Sequence, residues 1–350
     1  MLRDAVLIIT SQDEVSIPPV VGYLEELQQA YFRLDADAVL RNRTMLSMNL
    51  HGADFTGSIR LQNGDAISMT HIKSVWFRRP RTLFVDELYA DGEESAFAES
   101  EMSGALWSLY CNLDGAFWMN HPLPSRHLLE HNKLLQMKLA AKCGLRVPDT
   151  IVSNNSAEII SFCEQHGGVI AVKVLRKAVP NNTDLSRKWI YTNIVTLDYL
   201  KRHADNISST ALMAQEYIAK KVELRVTIIG TNVLACAIHS QDSERTKVDW
   251  RRYDFERVKH DVYELPTAVA AKLLAFMDQC NLAFGAVDMI ITPDGDFIFL
   301  EINPSGQYGW IERLTGLPIS RTIAEVLANP PHQRLPGMHS CRSYNRQYVD

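Results

Sequence analysis

Ala286-Val-Asp-Met-Ile-Ile-Thr-Pro-Asp-Gly-Asp-Phe-Ile-Phe-Leu-Glu-Ile-Asn-Pro304 is the stretch on which the fold turns. Asp294-Gly295 is a two-residue hairpin signal between two apolar runs. With those residues at the turn, Pro293 faces Asp296, and counting outward sets Asp288 opposite Glu301. Partners across a hairpin share a face, and so do residues two apart in one strand. Asp288, Glu301 and Asn303 therefore project from one side. Val287, Met289, Ile290, Ile298, Phe299, Leu300 and Ile302 make both faces apolar, so two carboxylates there are crowded and poorly solvated. A divalent cation removes the conflict. Three hard oxygen ligands, with positions left for phosphate and water, suit Mg²⁺. The plainer alternative is an exposed hairpin with its acids in water.

Working outward, Lys173 lies inside the apolar strand Gly168-Val-Ile-Ala-Val-Lys-Val-Leu175. A lysine in such a run needs an anion, either a nucleotide phosphate or a protein carboxylate. Ala211-Leu-Met-Ala-Gln-Glu-Tyr-Ile218 turns from apolar to polar and back. That pattern suits a hinge whose backbone pairs with an adenine edge. In Glu223-Leu-Arg-Val-Thr-Ile-Ile-Gly230, period two puts Glu223 and Arg225 on one face. The carboxylate can accept ribose hydroxyls and the arginine can clamp a phosphate, or the two can simply pair. Lys133 lies on a helix face away from Leu128, Leu135 and Leu139, as an ordinary surface lysine would.

Other frameworks for such chemistry are absent from the sequence. There is no GxxxxGK[ST], no GxGxxG, no HRD or DFG, and no GxSxG. The six cysteines form no CxxC pair, and no Cys/His group has zinc spacing. With 36 basic and 41 acidic residues the net charge is −5, which is no nucleic-acid footprint. Arg78-Arg79-Pro-Arg81 and Arg251-Arg252 are local clusters able to hold anions. No apolar run reaches the roughly 18 residues needed to cross a bilayer, and Met1–Thr10 reads as a first strand rather than a signal peptide. No membrane partner and a cytoplasmic location are expected.

The chain of 350 residues is long for a single core. Residues 5–10, 19–30 and 30–35 read as strand, helix and strand, a parallel β-α-β unit. A strand near 72–78 and a helix near 93–112 follow, and the first domain is expected to end near 121–125. Ser125 is placed to cap a helix that runs to Cys143 and stops at Gly144. Residues 156–166 and 266–281 read as helices, 176–189 as a polar mobile loop, and the region from 211 mostly as strands and hairpins. Expected domains are 1–122, 123–210, 211–330 and a loose tail at 331–350.

Taken in order, Lys133, Lys173, Gln215-Glu-Tyr-Ile218, Glu223-Leu-Arg-Val226, Asp288 and Glu301-Ile-Asn303 resemble the ATP-grasp superfamily. Ser74-Val-Trp-Phe-Arg-Arg-Pro80, Trp118-Met-Asn-His-Pro122, Asn132-Lys133, Ile190-Tyr-Thr-Asn193, Glu301-Ile-Asn-Pro-Ser-Gly-Gln-Tyr-Gly-Trp-Ile-Glu312 and Thr315-Gly-Leu-Pro-Ile319 are similar to the microviridin- or graspetide-type peptide macrocyclases. The likeness covers residues 1–328. It implies an α/β fold of ATP-grasp lobes behind an N-terminal pre-ATP-grasp domain, with ATP and Mg²⁺ as cofactors. It also implies a ribosomal precursor peptide, with leader and core, as partner, and a homodimer. By the same resemblance, Lys133 and Lys173 meet phosphates and Gln215, Glu216, Tyr217 and Ile218 form the adenine hinge. Glu223 meets ribose, and Asp288, Glu301 and Asn303 bind Mg²⁺. Arg225 faces the transferring phosphoryl group, and Arg251 is a second phosphate or acyl-phosphate contact. Two features depart from the family: residues 176–189 lack the glycines of a phosphate lid, and Tyr308 stands where relatives often carry tryptophan. The rival functions are a RimK-like or glutathione-synthetase-like ligase that adds an amino acid to a protein tail or small acid, and a nucleotide-binding scaffold without catalysis.

Overall fold

The structure, a computed structural model, describes residues 2–81, 92–123, 129–130, 132–175, 191–252 and 254–331. Two compact units emerge. One comprises Met1–Pro122, Asn281–Phe284 and Pro318–Asp350, the other Leu123–Cys280 and Gly285–Leu317.

The first unit opens with β1 (Ala5–Thr10), α1 (Ile17–Glu26) and β2 (Tyr31–Asp35), and β1 and β2 pair in parallel as the β-α-β reading expects. Every residue of β1 is buried, which is why the strand reads as a continuous apolar run. Pro18 and Pro19 fall in the first turn of α1, where a missing N–H costs nothing. A three-stranded antiparallel sheet follows: β3 (Met45–His51), β4 (Asp54–Arg60) and β5 (Ala66–Ser68). β6 (Ile72–Phe77), α2 (Gly92–Cys111) and β7 (Phe117–Met119) complete a parallel sheet of order β2-β1-β6-β7. Leu7, Ile9, Val75, Phe77, Leu109 and Trp118 share its core. The arginines after β6 meet acids of the same unit. Arg78 Nε donates to Ser16 Oγ at 2.9 Å with Glu14 3.6 Å away, and Arg81 pairs with Asp13 at 2.8 Å.

The second unit carries the cleft described below. Its first described helix is α3 (Lys133–Lys142). Asn132 caps it, its Oδ1 accepting the Leu135 N–H at 3.1 Å. Ser125, the expected cap, lies outside the described residues, as does Leu128. The buried side chains of α3 are Gln136, Met137, Leu139 and Ala140. Lys133 is one turn before Gln136 and Met137, so it lies on the buried side, not on a face turned away from it. Gly144, at φ +79°, ends the helix as expected.

β8 (Thr150–Ser153), α4 (Ser156–Gln165), β9 (Val169–Lys173), β10 (Asn193–Thr196), α5 (Leu197–Arg202), α6 (Ala204–Ile207) and β11 (Leu212–Glu216) form a helix-covered antiparallel sheet of order β10-β9-β11-β8. The loop expected at 176–189 lies outside the described residues. β12 (Val222–Ile229), β13 (Asn232–Ile238), β14 (His260–Tyr263), α7 (Thr267–Gln279), β15 (Phe284–Ile291) and β16 (Phe297–Asn303) build a second sheet, of order β14-β13-β12-β15-β16. Every residue of β12 and β15 is buried. α8 (Gly309–Thr315) follows, and α9 (Ile319–Ala328) returns the chain to the first unit. There α9 packs on α1, and its last turn accepts hydrogen bonds from Ser74 Oγ (to Leu327 O, 2.8 Å) and Lys73 Nζ (to Ala328 O, 2.6 Å). The tail expected at 331–350 is described only at Pro331. No described helix is long and apolar enough to cross a membrane.

Candidate active site

Asp288 and Glu301 are opposed across β15 and β16 as expected, but by a different count. The turn has three residues, not two. Thr292 N–H donates to Asp296 O at 3.0 Å, Gly295 N–H donates to Thr292 O at 3.0 Å, and Gly295 takes φ +91°. That moves the register by one, so Met289 faces Phe299, Ile290 faces Ile298 and Ile291 faces Phe297. A β-bulge then inserts Leu300 as an extra residue and restores the Asp288–Glu301 pair. Because of the bulge, Leu300 and Glu301 both line the cleft, although strand neighbours ordinarily point to opposite faces.

The cleft gathers residues from across the second unit. Lys133, Lys173, Gln215, Glu216, Tyr217, Ile218, Glu223, Arg251, Asp288 and Glu301 all line it, as do Lys220 and Asp249, which no sequence pattern singles out. Two of the expected residues are not part of the lining among the described residues. Arg225 reaches the cleft through Asp288, with Nη1 2.9 Å from Oδ1. Asn303 follows Glu301 by two residues, and its Oδ1 accepts the Ser305 N–H at 3.0 Å.

The charges interlock. Lys133 Nζ lies 3.0 Å from Glu301 Oε2, and Arg251 Nη1 lies 3.9 Å from Glu301 Oε1. Burial opposes ionisation of Glu301, yet Lys133, Arg251 and Lys173 hold its carboxyl down to about 2. Asp288 goes the other way: burial pushes it up, the Arg225 guanidinium pulls it down, and Glu301 pushes it up again. Lys220 Nζ lies 2.7 Å from Glu223 Oε1. Burial raises Glu223 even so, against the pull of Lys220.

Lys173 ends β9, paired with Met213 in the ladder, and its side-chain amine has no hydrogen bond and no carboxylate within 4 Å among the described residues. Burial, together with Lys133 and Arg251, brings it down to about 8 against the pull of Glu301 and Asp249. A cation in that position is a ready partner for an anion that enters the cleft. Asp288, crowded by Glu301 and pushed up by burial, is correspondingly receptive to a cation. The residues present therefore fit both a polyphosphate and a divalent metal.

At the far edge, β11 pairs with both β8 and β9, and Glu216 exchanges contacts with Asp149: its N–H donates to Asp149 O at 3.0 Å and its Oε1 accepts the Asp149 N–H at 3.1 Å. The Gln215 side chain turns inward to Thr150 Oγ1 at 2.9 Å. Tyr217 and Ile218, beyond the end of the strand, line the cleft with their backbone outside the ladder. Arg252, the neighbour of Arg251, sits over the Tyr191 ring at 5.3 Å.

Gly306 is the glycine that the site requires. A Cβ there would lie 2.3 Å from Ala286 Cβ and 2.8 Å from Arg225 Nη2. Only a bare Cα leaves room for the guanidinium to reach Asp288.

Residues 130–327 match the RimK-like ATP-grasp domain, and residues 5–124 match the MvdD pre-ATP grasp domain. No curated protein matches the chain. Among solved structures, a RiPP-associated ATP-grasp ligase of Chryseobacterium gregarium, in complex with ADP and a leader and core peptide, is similar with a TM-score of 0.84 and 28% identity over 96% of this chain and 99% of that one. Macrocyclase MdnC of Microcystis aeruginosa MRC, bound with precursor peptide MdnA, gives a TM-score of 0.77 and 28% identity over 93% and 99%. Macrocyclase MdnB of the same organism gives 0.71 and 27% over 92% and 98%. With the RimK-like match spanning more than half of the chain, over the cleft and both sheets that frame it, this protein belongs to the RimK-like ATP-grasp family and is an ATP-grasp ligase.

Proposed function

We propose that this ligase crosslinks side chains of a ribosomal precursor peptide at the expense of ATP. An Asp or Glu carboxylate oxygen of the peptide attacks the γ-phosphorus. The bond from that phosphorus to the bridging oxygen breaks, and ADP leaves. A Ser or Thr hydroxyl, or a Lys amine, of the same peptide then attacks the acyl carbon. Its proton is lost, inorganic phosphate departs, and an ester or amide closes the ring. The net change is one water lost per crosslink.

The observation that carries the proposal is the convergence of Lys133, Lys173, Arg251 and, through Asp288, Arg225 around the paired acids Asp288 and Glu301. The phosphoryl transfer asks little covalent chemistry of the protein and much positioning and charge stabilisation. Lys133 and Lys173 hold phosphates, the backbone of Glu216 to Ile218 reads adenine, and Glu223 accepts ribose hydroxyls. Arg225 and Arg251 oppose the charge on the transferring group. Asp288, Glu301 and Asn303 are the residues to hold Mg²⁺, which when bound neutralises phosphate oxygens. Residues 123–210 and 211–330 act as the two lobes that enclose the nucleotide. The peptide partner is supported by the likeness to a ligase in complex with a leader and core peptide and to a macrocyclase bound with its precursor.

The competing reading is a RimK-like or glutathione-synthetase-like ligase that adds an amino acid to a protein tail or small acid. Mass spectrometry separates the two. The protein is incubated with ATP, Mg²⁺ and the peptide encoded by a short reading frame beside its gene. Loss of one water per ADP released is the expected result. A gain equal to an amino-acid residue would establish the competitor, and release of AMP would remove both.

A further inference from the structure

Asp249 is 4% exposed and lies immediately before the helical turn Trp250–Arg252. Its carboxylate collects four N–H donors. Oδ1 accepts from the Arg251 backbone at 3.0 Å and from Arg251 Nε at 2.8 Å. Oδ2 accepts from Arg251 Nη2 and, at 3.0 Å, from the backbone N–H of Thr192. With the Nε/Nη2 edge so occupied, the Nη1 corner of Arg251 is the part that faces Glu301, 3.9 Å away.

An arginine side chain has four flexible torsions and two edges able to grip a phosphate side-on. Held by Asp249, it presents one corner in one orientation. Thr192 leads into β10 of the first sheet, whereas Asp249 belongs to the loop after β13 of the second. Arg252 over Tyr191 repeats the tie one residue further along. The two contacts stitch residues 191–192 to 249–252, and both Thr192 and Arg251 line the cleft.

We propose that Asp249 is a positioning residue that fixes which corner of Arg251 meets the transferring phosphoryl group and ties that arginine to the strand entrance at Thr192. The inference rests on the functional reading above, in which Arg251 faces the γ-phosphoryl group. It adds that this arginine works only while Asp249 holds it. The side chain of Asp249 makes no contact with the nucleotide in this account, so its effect passes through Arg251.

The test compares two nucleotides. Calorimetric titration with Mg²⁺ and either ADP or a non-hydrolysable ATP analogue is run on the wild type, Asp249→Asn, Arg251→Ala and the double variant. Asp249→Asn is expected to weaken the triphosphate analogue roughly tenfold, the scale of one charge-assisted contact, and to leave ADP within about twofold. In the Arg251→Ala background the same change should alter neither by more than about twofold. Equal losses for both nucleotides, or a full Asp249→Asn effect without Arg251, would overturn the proposal. If Asp249→Asn does not fold, Asp249→Glu keeps the charge, shifts the carboxylate by one methylene and must show the same selective loss. A wild type that binds neither nucleotide would bring down the functional reading and the inference together. Variants that show the selective loss as described, beside a wild type that crosslinks no peptide, would end only the crosslinking reading.

Discussion

Gln136 holds Ile302 as a strand neighbour would: its Nε2 donates to Ile302 O at 3.0 Å, and its Oε1 accepts the Ile302 N–H at 3.0 Å. The amide of one side chain thus stands in for a backbone peptide, and Nε2 also reaches Leu129 O at 2.6 Å. This seats α3 on β16 and sets Lys133, one turn earlier, beside Glu301. Gln136→Leu nearly keeps the volume but orphans the buried polar groups of Ile302. We expect a loss of about 2–4 kcal/mol of stability, two unmade buried bonds. Urea denaturation checks it. A variant as stable as the wild type would show that α3 is seated by apolar packing alone.

How much of this was legible in the sequence varies with the residue. β12 and β15 are buried throughout and read as continuous apolar runs. The Asp288–Glu301 opposition came out of a two-residue turn that does not exist. It held because the one-residue shift at Gly295 is cancelled by the bulge at Leu300, and no periodicity announces a bulge. β3 to β5 escaped because their burial is partial, with Met45 and Leu50 exposed among polar neighbours. Gln136 and Asp249 escaped for another reason. Their partners lie 166 and 57 residues away, and a Gln in a helix or an Asp before a Trp carries no sign of what it will touch.

Lys173 supplies a pH-dependent prediction. Its folded value, brought down to about 8, lies below the ordinary lysine range. The unfolded chain therefore binds more protons, and this group makes the protein more stable as pH rises from about 8 toward 10.5. An incoming phosphate reverses the shift. At pH 8 about half of the lysines are neutral, so nucleotide binding should take up about half a proton at this site. Calorimetry in two buffers of different ionisation enthalpy measures the uptake, with Lys173→Met as the reference. The variant should also bind Mg·ATP at least about tenfold more weakly, for a lost contact of roughly 1.5–3 kcal/mol. Identical proton uptake in both proteins would remove Lys173 from the phosphate site.

Gly306→Ala tests the passage through which Arg225 reaches Asp288. The new methyl would lie within 2.3 Å of Ala286 Cβ, so the backbone must part. A cost of about 1–3 kcal/mol is expected from the overpacking, along with a fall in turnover as the guanidinium is displaced. Ala286→Gly removes the nearer of the two contacts. The pair of changes should recover part of the stability but less of the activity, since Arg225 Nη2 would still meet the methyl at 2.8 Å. Melting curves and ADP release on the three proteins decide it, and full recovery of both would mean that Arg225 is not obstructed.

Glu301→Gln separates the electrostatics of the resting cleft from its chemistry. Two crowded carboxylates, taken alone, imply that neutralising one would stabilise the metal-free protein. The surroundings reverse that sign. Lys133, Arg251 and Lys173 hold Glu301 at about 2, so its negative charge offsets three cations more than it repels Asp288. A carboxyl whose folded value is depressed contributes stability above the ordinary carboxylate range and loses it as pH falls toward about 2. The metal-free variant should accordingly be less stable at neutral pH, on the order of 1–3 kcal/mol, and the gap should close in acid. A neutral amide also holds Mg²⁺ poorly, so turnover should fall at least about a hundredfold, near 2.7 kcal/mol of transition-state stabilisation. Denaturation at pH 7 and pH 3, with ADP release at limiting Mg²⁺, reads both effects on one protein. A variant of undiminished stability that turns over normally would show that Glu301 neither anchors the cations of the cleft nor serves the metal.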